Sequence, residues 1–206
     1  MNFIYSVPSF RHNRFFDGWQ LGSILQSQGG NPVNLVASGF SALTGLATLR
    51  PDQIGPIQIV NRAVAGGIQW IAPLVCDPTK AANAPSCNGA SFALPTAGGL
   101  HFGNFGRNVI HGPGFNNVDF SLIKRTKISE RFSHEFRVEA FDLFNHPNLG
   151  QPGRGAQLVL TNPALPVSAA NPFIVSPTFG VINSTRFPVG DSGSARQIQF
   201  AMKLLF

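Results

Sequence analysis

The residues best placed to act as an acid and a base are Glu135 and Glu139, which flank Arg137 in the segment EFRVE. If this segment is a strand, its period of two puts all three side chains on one face. The two carboxylates then stand about 13 Å apart, because a strand rises by about 3.3 Å per residue, and glycosidases hold their acid pair closer than that. We therefore expect structural ions here, no catalytic residue and no enzyme.

Motifs for metals, phosphates and nucleophiles are not found in the sequence. The five histidines show no metal-ligand spacing; they are His12, His101, His111, His134 and His146. The glycine-rich segments GNFGRN and GRG are not followed by a helix pattern, and no serine lies in a nucleophile elbow. Apart from Lys124, Arg125 and Lys127, the basic residues are scattered singly. We expect no metal, no cofactor and no nucleic-acid partner.

The two cysteines, Cys76 and Cys87, enclose a segment rich in Pro, Asn and Ala, CDPTKAANAPSC. This spacing is compatible with a disulfide that closes a small loop in an oxidising compartment, or with two free thiols. The loop setting favours the disulfide. A zinc site is not expected, because no histidine or second cysteine pair lies close by in sequence.

The elements that must position these residues are predicted to be strands. Only 12% of the residues are charged, while 22 Gly and 16 Pro are spread along the 206-residue chain. So many helix breakers exclude a helical bundle. Alternation of apolar and polar residues predicts strands; they lie near 1–10, 17–37, 115–127, 132–145 and 194–206. The segment 17–37 is interpreted as one long strand with an irregularity at Gly29 and Gly30.

The alternation divides the side chains of the predicted strands into two sets. One face is apolar and carries Val118, Phe120, Leu122, Phe136, Val138, Phe200, Met202, Leu204 and Phe206. The opposite face is polar and carries Asp119, Glu135, Arg137 and Glu139. A sheet built from these strands would therefore have one apolar and one charged face.

The predicted connections differ sharply in length. KISER, near 127–131, is a short turn, whereas 39–113 and 146–193 are long and lack clear periodicity. Compact soluble domains seldom contain such connections, but transmembrane β-barrels combine short periplasmic turns with long extracellular loops. With FGVINSTR (179–186) assigned to the second long loop, about five strands cross the membrane, too few to close an eight-stranded barrel. The fold class expected is all-β, an incomplete antiparallel outer-membrane β-barrel.

Four segments carry a resemblance to a known family. They are GWQLGSILQSQGGNPVNL (18–35), the block from FGNFGRN to FNHPNLGQP (102–152), FGVINSTR (179–186) and RQIQFAMKLLF (196–206). Together they resemble the C-terminal end of TonB-dependent receptors, in particular Oar-like receptors with a carboxypeptidase-regulatory-like domain before the plug. The block 102–152 is the most specific of the four.

The resemblance implies a 22-stranded barrel in the outer membrane of a Gram-negative bacterium, with a plug in its lumen. It implies uptake of a bulky nutrient, a siderophore, oligosaccharide or peptide, energised by the TonB complex through the plug. The expected partners are outer-membrane lipid, the remaining barrel strands and the plug. We expect the chain to be the C-terminal part of such a receptor, because no plug or signal peptide is recognisable in it.

The resemblance also suggests a role for each set of side chains. The apolar set would face lipid, while Asp119, Glu135, Arg137 and Glu139 would form a polar network facing the lumen. The closing alternation, Phe200, Met202, Leu204 and Phe206, resembles the signal recognised by the outer-membrane assembly machinery.

Two other classes would fit parts of the pattern. The alternative is a secreted or surface β-sandwich that binds carbohydrate or protein, in which the apolar faces are buried between two sheets. A soluble hydrolase would need a catalytic constellation that the sequence does not show. Burial of the apolar set separates the first alternative from a barrel.

Overall fold

The computed structural model describes residues 1–9, 15–38, 45–46, 48–79, 83–186 and 195–206. Within these ranges all regular structure is β-strand, which confirms the predicted all-β class. In chain order the strands are β1 (Asn2–Ser6), β2 (Trp19–Gln28), β3 (Pro32–Val33), β4 (Ala37–Ser38), β5 (Thr48–Leu49), β6 (Asp52–Gln53), β7 (Ile59–Val64), β8 (Gly67–Ile71), β9 (Val75–Cys76), β10 (Phe92–Ala93), β11 (Ile110–His111), β12 (Phe115–Lys127), β13 (Ser133–Phe141), β14 (Leu158–Leu160), β15 (Phe173–Val175), β16 (Val181–Ile182) and β17 (Gln197–Leu205). The described part of the chain has no helix long and apolar enough to span a bilayer.

The chain divides into two compact units. The first, the sheet unit, comprises Met1–Gly29, Gly114–Leu149 and Thr185–Phe206. The second, the insert unit, comprises Gly30–Pro113 and Gly150–Ser184. The insert unit is therefore built from the two chain segments that leave and re-enter the sheet unit.

The sheet unit is one five-stranded antiparallel sheet in the order β1-β2-β12-β13-β17. Its register places residues of like character opposite each other: Leu122 pairs with Leu21 on one side and with Val138 on the other. Val138 in turn pairs with Phe200 on β17. Because side chains directly opposite in a sheet share a face, the alternation in each strand becomes one continuous apolar face.

Four strands are shorter than predicted. The outer two, β1 and β17, fall within the predicted 1–10 and 194–206, whose residues 10 and 194 lie outside the described ranges. The ends of the other two have local causes. The segment 17–37 is not one strand: β2 ends at Gln28, and β3 pairs with β11 in the insert unit instead. A Cβ on Gly30 would lie 1.7 Å from the Gly112 carbonyl oxygen, so only glycine fits where the chain leaves β2. The strand predicted over 132–145 ends at Phe141, because Asp142 adopts a φ of 47°.

The insert unit consists of short strands in several small sheets. They pair as β6-β10-β9, β16-β8-β7, β11-β3, β14-β15 and β4-β5. The regions 39–113 and 146–193, predicted to be long loops without periodicity, supply most of these strands. The segment FGVINSTR contributes β16, which pairs with β8 within the insert unit, in agreement with its assignment to the second loop.

The hydrophobic core lies in the insert unit. It is built from Val33, Leu35, Ile71, Val75, Phe92, Phe105, Ile110, Ala156 and Phe179. The Phe92 ring meets Phe105 and Phe179 edge to face, with centroids 5.4 and 6.2 Å away, an arrangement favoured by the ring quadrupoles. In the sheet unit, by contrast, the described hydrophobic side chains that are buried are Phe115 and Ala140 alone. The described part of the sheet unit therefore has no hydrophobic core cluster.

Candidate functional site

The apolar face of the sheet is exposed over much of its extent. Val118, Phe120 and Leu122 on β12 and Phe136 and Val138 on β13 are only half-buried. On β17, Phe200 and Met202 are 71% and 73% exposed, and Leu204 is exposed as well. The structure therefore brings the predicted apolar set together on one face without sealing it in a core. Phe206 follows the end of β17 and is fully exposed.

The opposite face carries a ladder of charged side chains on β12 and β13. Glu135 lies at its centre, with its side chain 11% exposed. Its Oε2 accepts a hydrogen bond from Arg125 Nε at 2.7 Å, and its Oε1 accepts one from Arg137 Nη2 at 3.1 Å. Arg137 Nη1 also donates to Glu139 Oε1 at 3.4 Å. Arg137 thus bridges the two carboxylates, and this charge ladder fixes long side chains against the sheet.

Asp119 shares this face but belongs to a different cluster from the charge ladder. Its Oδ1 accepts hydrogen bonds from Asn117 Nδ2 and from the backbone N–H of Asp142, each at 3.0 Å. Asp142 in turn accepts from the backbone N–H of His146 at 3.1 Å. Asp119 therefore anchors the turn that follows β13, instead of joining Glu135, Arg137 and Glu139 as predicted.

A buried asparagine continues the strand pairing beyond that turn. The Oδ1 of Asn148 accepts from the backbone N–H of Asn116 at 2.8 Å, and its Nδ2 donates to the Asn116 carbonyl at 3.0 Å. The side-chain amide of Asn148 thus makes the two hydrogen bonds that the backbone of a neighbouring strand would make to the start of β12. Its backbone carbonyl accepts from the N–H of Arg186 at 2.8 Å. We call this arrangement the asparagine clamp.

Cations lie over aromatic rings near both ends of the sheet. At the end with the short turn, Lys124 Nζ lies 5.1 Å from the Trp19 ring centroid. At the other end, the Arg186 guanidinium lies 5.3 Å from the Phe115 ring. Its Nη2 also donates to Gln28 Oε1 at 2.5 Å. These contacts hold the ends of neighbouring strands together.

Comparison with known families decides what kind of protein has this sheet. A family model described as an outer membrane beta barrel domain matches residues 1–199. The chain belongs to this family. It is accordingly an outer-membrane protein, as the sequence predicted. Comparison with curated proteins and with solved structures finds no match.

The insert unit of this outer-membrane β-barrel domain contains the two cysteines. Cys76 and Cys87 form a disulfide with Cα atoms 5.1 Å apart, and Cys76 is fully buried. The bond ties β9 to the loop that precedes β10. Of the two states left open by the spacing, the structure has the disulfide.

A histidine and a carboxylate of the insert unit form a second fixed pair. His101 Nε2 lies 2.7 Å from Asp52 Oδ2, and its Nδ1 lies 3.0 Å from the Gly99 carbonyl oxygen. Both ring nitrogens therefore face acceptors, which favours the protonated imidazole. The hydrogen bond to the Gly99 carbonyl, followed by that to Asp52, raises the pKa of His101 above its usual 6.5.

Sequence reasoning missed the residues that terminate the strands. Asn116, Asn117, Asp142 and Asn148 received no role, although all four lie in the segments FNNVDF and FDLFNHPN of the block that carries the family resemblance. Their residue types could have indicated the ends of the strands, because the side chains of asparagine and aspartate form hydrogen bonds with backbone groups and both residues tolerate positive φ. Among the residues that the structure describes, no three His, Cys, Asp or Glu side chains are grouped as metal ligands.

Proposed function

We propose that this outer-membrane β-barrel domain is the C-terminal barrel segment of a TonB-dependent receptor that imports a bulky nutrient. The observation that carries the proposal is the single-layered antiparallel sheet, exposed and apolar on one face and charged on the other. The resemblance of the segments near 102–152 to Oar-like receptors supplies the receptor class. The nutrient would be a siderophore, an oligosaccharide or a peptide.

On this proposal the apolar face contacts outer-membrane lipid and the charge ladder faces the lumen. A bilayer accepts a sheet only if every backbone group is paired, so β1 and β17, at the two edges of the sheet, would pair with the remaining barrel strands. The charge ladder and Asp119 would line the space that holds the plug. TonB would act through the plug, and no cofactor, nucleic acid or catalytic step is involved.

The proposal places the insert unit outside the cell. The register pairs Phe115 with Gln28 and Phe141 with Gln197, so the chain leaves the sheet unit for both inserted segments at the same end of the sheet. The opposite end carries the tight turn, in which Ile128 N–H donates to the Phe132 carbonyl at 2.9 Å. Long connections on one side and short turns on the other are typical of barrels with extracellular loops. The insert unit would then contribute to ligand capture.

The end of β17 has a second proposed role in biogenesis. Phe200, Met202 and Leu204 project from one face of an edge strand whose far side pairs with no described strand. Phe206 follows them. These four side chains would be read by the outer-membrane assembly machinery before the strand is paired.

The burial of the apolar set argues against a β-sandwich. In a sandwich the inner face is sealed against a second sheet, as a core about 10 Å thick. Here Val118, Phe120 and Phe136 remain half-buried, and Phe200 is largely exposed. Lipid is the solvent that suits such a face.

Paired cysteine substitutions on β17 test the lipid assignment. Phe200→Cys and the adjacent Gln199→Cys would each carry a nitroxide label in outer membranes, with the native disulfide left intact. We expect the label at position 200 to be relaxed by oxygen, which concentrates in lipid, and the label at 199 by a water-soluble nickel chelate. Equal access of both reagents to the two positions would refute the barrel orientation.

Photo-crosslinking tests the receptor class. A benzophenone amino acid at Arg137, on the charged face, should crosslink in native membranes to a polypeptide that contains a plug and a TonB-binding segment. The same substitution at Val138 is the matched control and should crosslink to lipid. A barrel whose charged face yields no plug would be a passive pore, and the TonB assignment would then be wrong.

A further inference from the structure

The insert unit contains an open pocket of about 660 Å³, within the usual range for small-ligand sites. Its walls include Arg50, Arg107 and Phe102, with Asn34 and Leu49 beside them. A Cβ on Gly103 would lie 2.0 Å from the Arg50 carbonyl oxygen, so the segment after Phe102 rests directly on the backbone of residue 50. The described wall is thus fixed by backbone packing.

The charge of this pocket is positive. The described lining residues include two arginines and no carboxylate. The insert unit as a whole contains two carboxylates, and both are engaged: Asp52 accepts from His101 and from the Asn104 N–H, and Asp77 accepts from Thr79. The positive potential of the two guanidinium groups is therefore not cancelled by a lining carboxylate.

The two guanidinium groups differ in how firmly they are held. Arg50 is half-buried, and its Nη1 donates to the Phe105 carbonyl at 3.3 Å. This bond orients the group and leaves its other N–H donors for a ligand. Arg107 is exposed and makes no ion pair with a described carboxylate. One fixed and one adaptable guanidinium suit recognition of an acid group.

The pocket also offers an apolar surface and a neutral donor. Phe102 is 75% exposed and contributes its ring to the wall of the pocket as an apolar surface. Asn34 Oδ1 accepts from the Asn108 N–H at 2.9 Å, which fixes the side-chain amide and leaves its N–H₂ as a donor. A ligand with both an acid group and a planar apolar part would use all of these groups.

We propose that this pocket binds an aromatic carboxylic acid group of the imported nutrient, with its carboxylate paired to Arg50 and Arg107 and its apolar part against Phe102. The inference deepens the proposed function, on which it rests for the role of the ligand as cargo. Binding itself needs neither TonB nor an energised membrane. Failure of binding and failure of TonB dependence are therefore separate results.

Equilibrium binding to the full chain in outer-membrane vesicles tests the pocket, with radiolabelled 2-naphthoate as the probe. Arg107→Ala should weaken binding about tenfold or more, since a charge-assisted hydrogen bond is lost. The matched control is Arg62→Ala, an exposed arginine on β7 outside the lining, which should change the Kd less than about twofold. Phe102→Ala should weaken naphthoate binding without changing the amount of protein in the membrane.

Two competitors define the chemistry. The neutral 2-naphthamide should compete at least about tenfold more weakly than naphthoate, because it cannot form the ion pair. Inorganic phosphate, which also stands for a lipid phosphate group, should compete weakly because it lacks the apolar part. The proposal would be overturned if naphthoate showed no saturable binding, or if Arg107→Ala and Arg62→Ala changed its Kd equally. It would also be overturned if the amide competed as well as naphthoate, or if phosphate competed more strongly than naphthoate.

Discussion

The substitution Asn148→Ala isolates the asparagine clamp at the start of β12. Asn148 is 4% exposed, and its amide makes two hydrogen bonds, of 2.8 and 3.0 Å, to the backbone of Asn116. Each such bond contributes about 1 kcal/mol net, so alanine should cost about 2 kcal/mol. If local opening exposes the Asn116 amide, its hydrogen exchange should accelerate about thirtyfold. Exchange mass spectrometry of the protein in lipid vesicles measures this rate.

Two further variants give the comparison its controls. Asn148→Asp keeps an acceptor for the Asn116 N–H but loses the donor to its carbonyl, so its exchange rate should lie between those of alanine and the parent. Asn2→Ala, on the exposed edge strand β1, should leave exchange at Asn116 unchanged. Acceleration below threefold in Asn148→Ala, or equal acceleration throughout the sheet unit, would refute the clamp as a local element.

Three other substitutions or conditions test the remaining contacts. Glu135→Gln removes the central carboxylate of the charge ladder and should lower the free energy of unfolding by about 1 kcal/mol; the loss stays small because water screens its two partly exposed arginine partners. Glu139→Gln removes a single contact of 3.4 Å and should lower the free energy of unfolding by less. Urea midpoints of the two variants in vesicles measure the difference. Because the pKa of His101 is raised in the folded state, its contribution to stability is complete below about pH 6.5 and is lost as the pH rises through the folded-state pKa. His101→Gln should abolish this pH dependence of stability. The same dependence of stability on pH in the variant would contradict the assignment. Reduction of the disulfide between Cys76 and Cys87, which are 11 positions apart, should destabilise the insert unit by about 3 kcal/mol. Protease cleavage near β9 measures this loss. Unchanged resistance to the protease after reduction would contradict it.

The two units differ in what stabilises them. The insert unit has an aromatic core and a disulfide, and resembles an ordinary water-soluble fold in its packing. The sheet unit has long ladders of backbone hydrogen bonds and almost no buried hydrophobic side chains. Such a sheet depends on its surroundings, because apolar side chains left in water contribute nothing to stability.

The sheet could be predicted because its information is local. In β12 and β13 apolar residues alternate with polar ones over 118–122 and 136–140, and in β17 over 198–204; this local pattern predicts both the strand and its two faces. The bounds of β12, Phe115–Lys127, coincide with the predicted 115–127. The apolar set and the three ions Glu135, Arg137 and Glu139 followed from the same period.

The insert unit could not be predicted in the same way. Most of its strands have only two or three residues, too few for a period to appear, and they pair through contacts distant in sequence. Phe92 meets Phe179 although 86 residues separate them, and no local pattern marks either ring as buried. The division at Gly30 depends on the close approach of Gly112, and the separation of Asp119 from the charge ladder depends on the turn at Asp142. The sequence by itself determined which side chains share a face of each long strand; only the tertiary structure decided which distant segments touch, because those contacts depend on chain closure and packing in three dimensions.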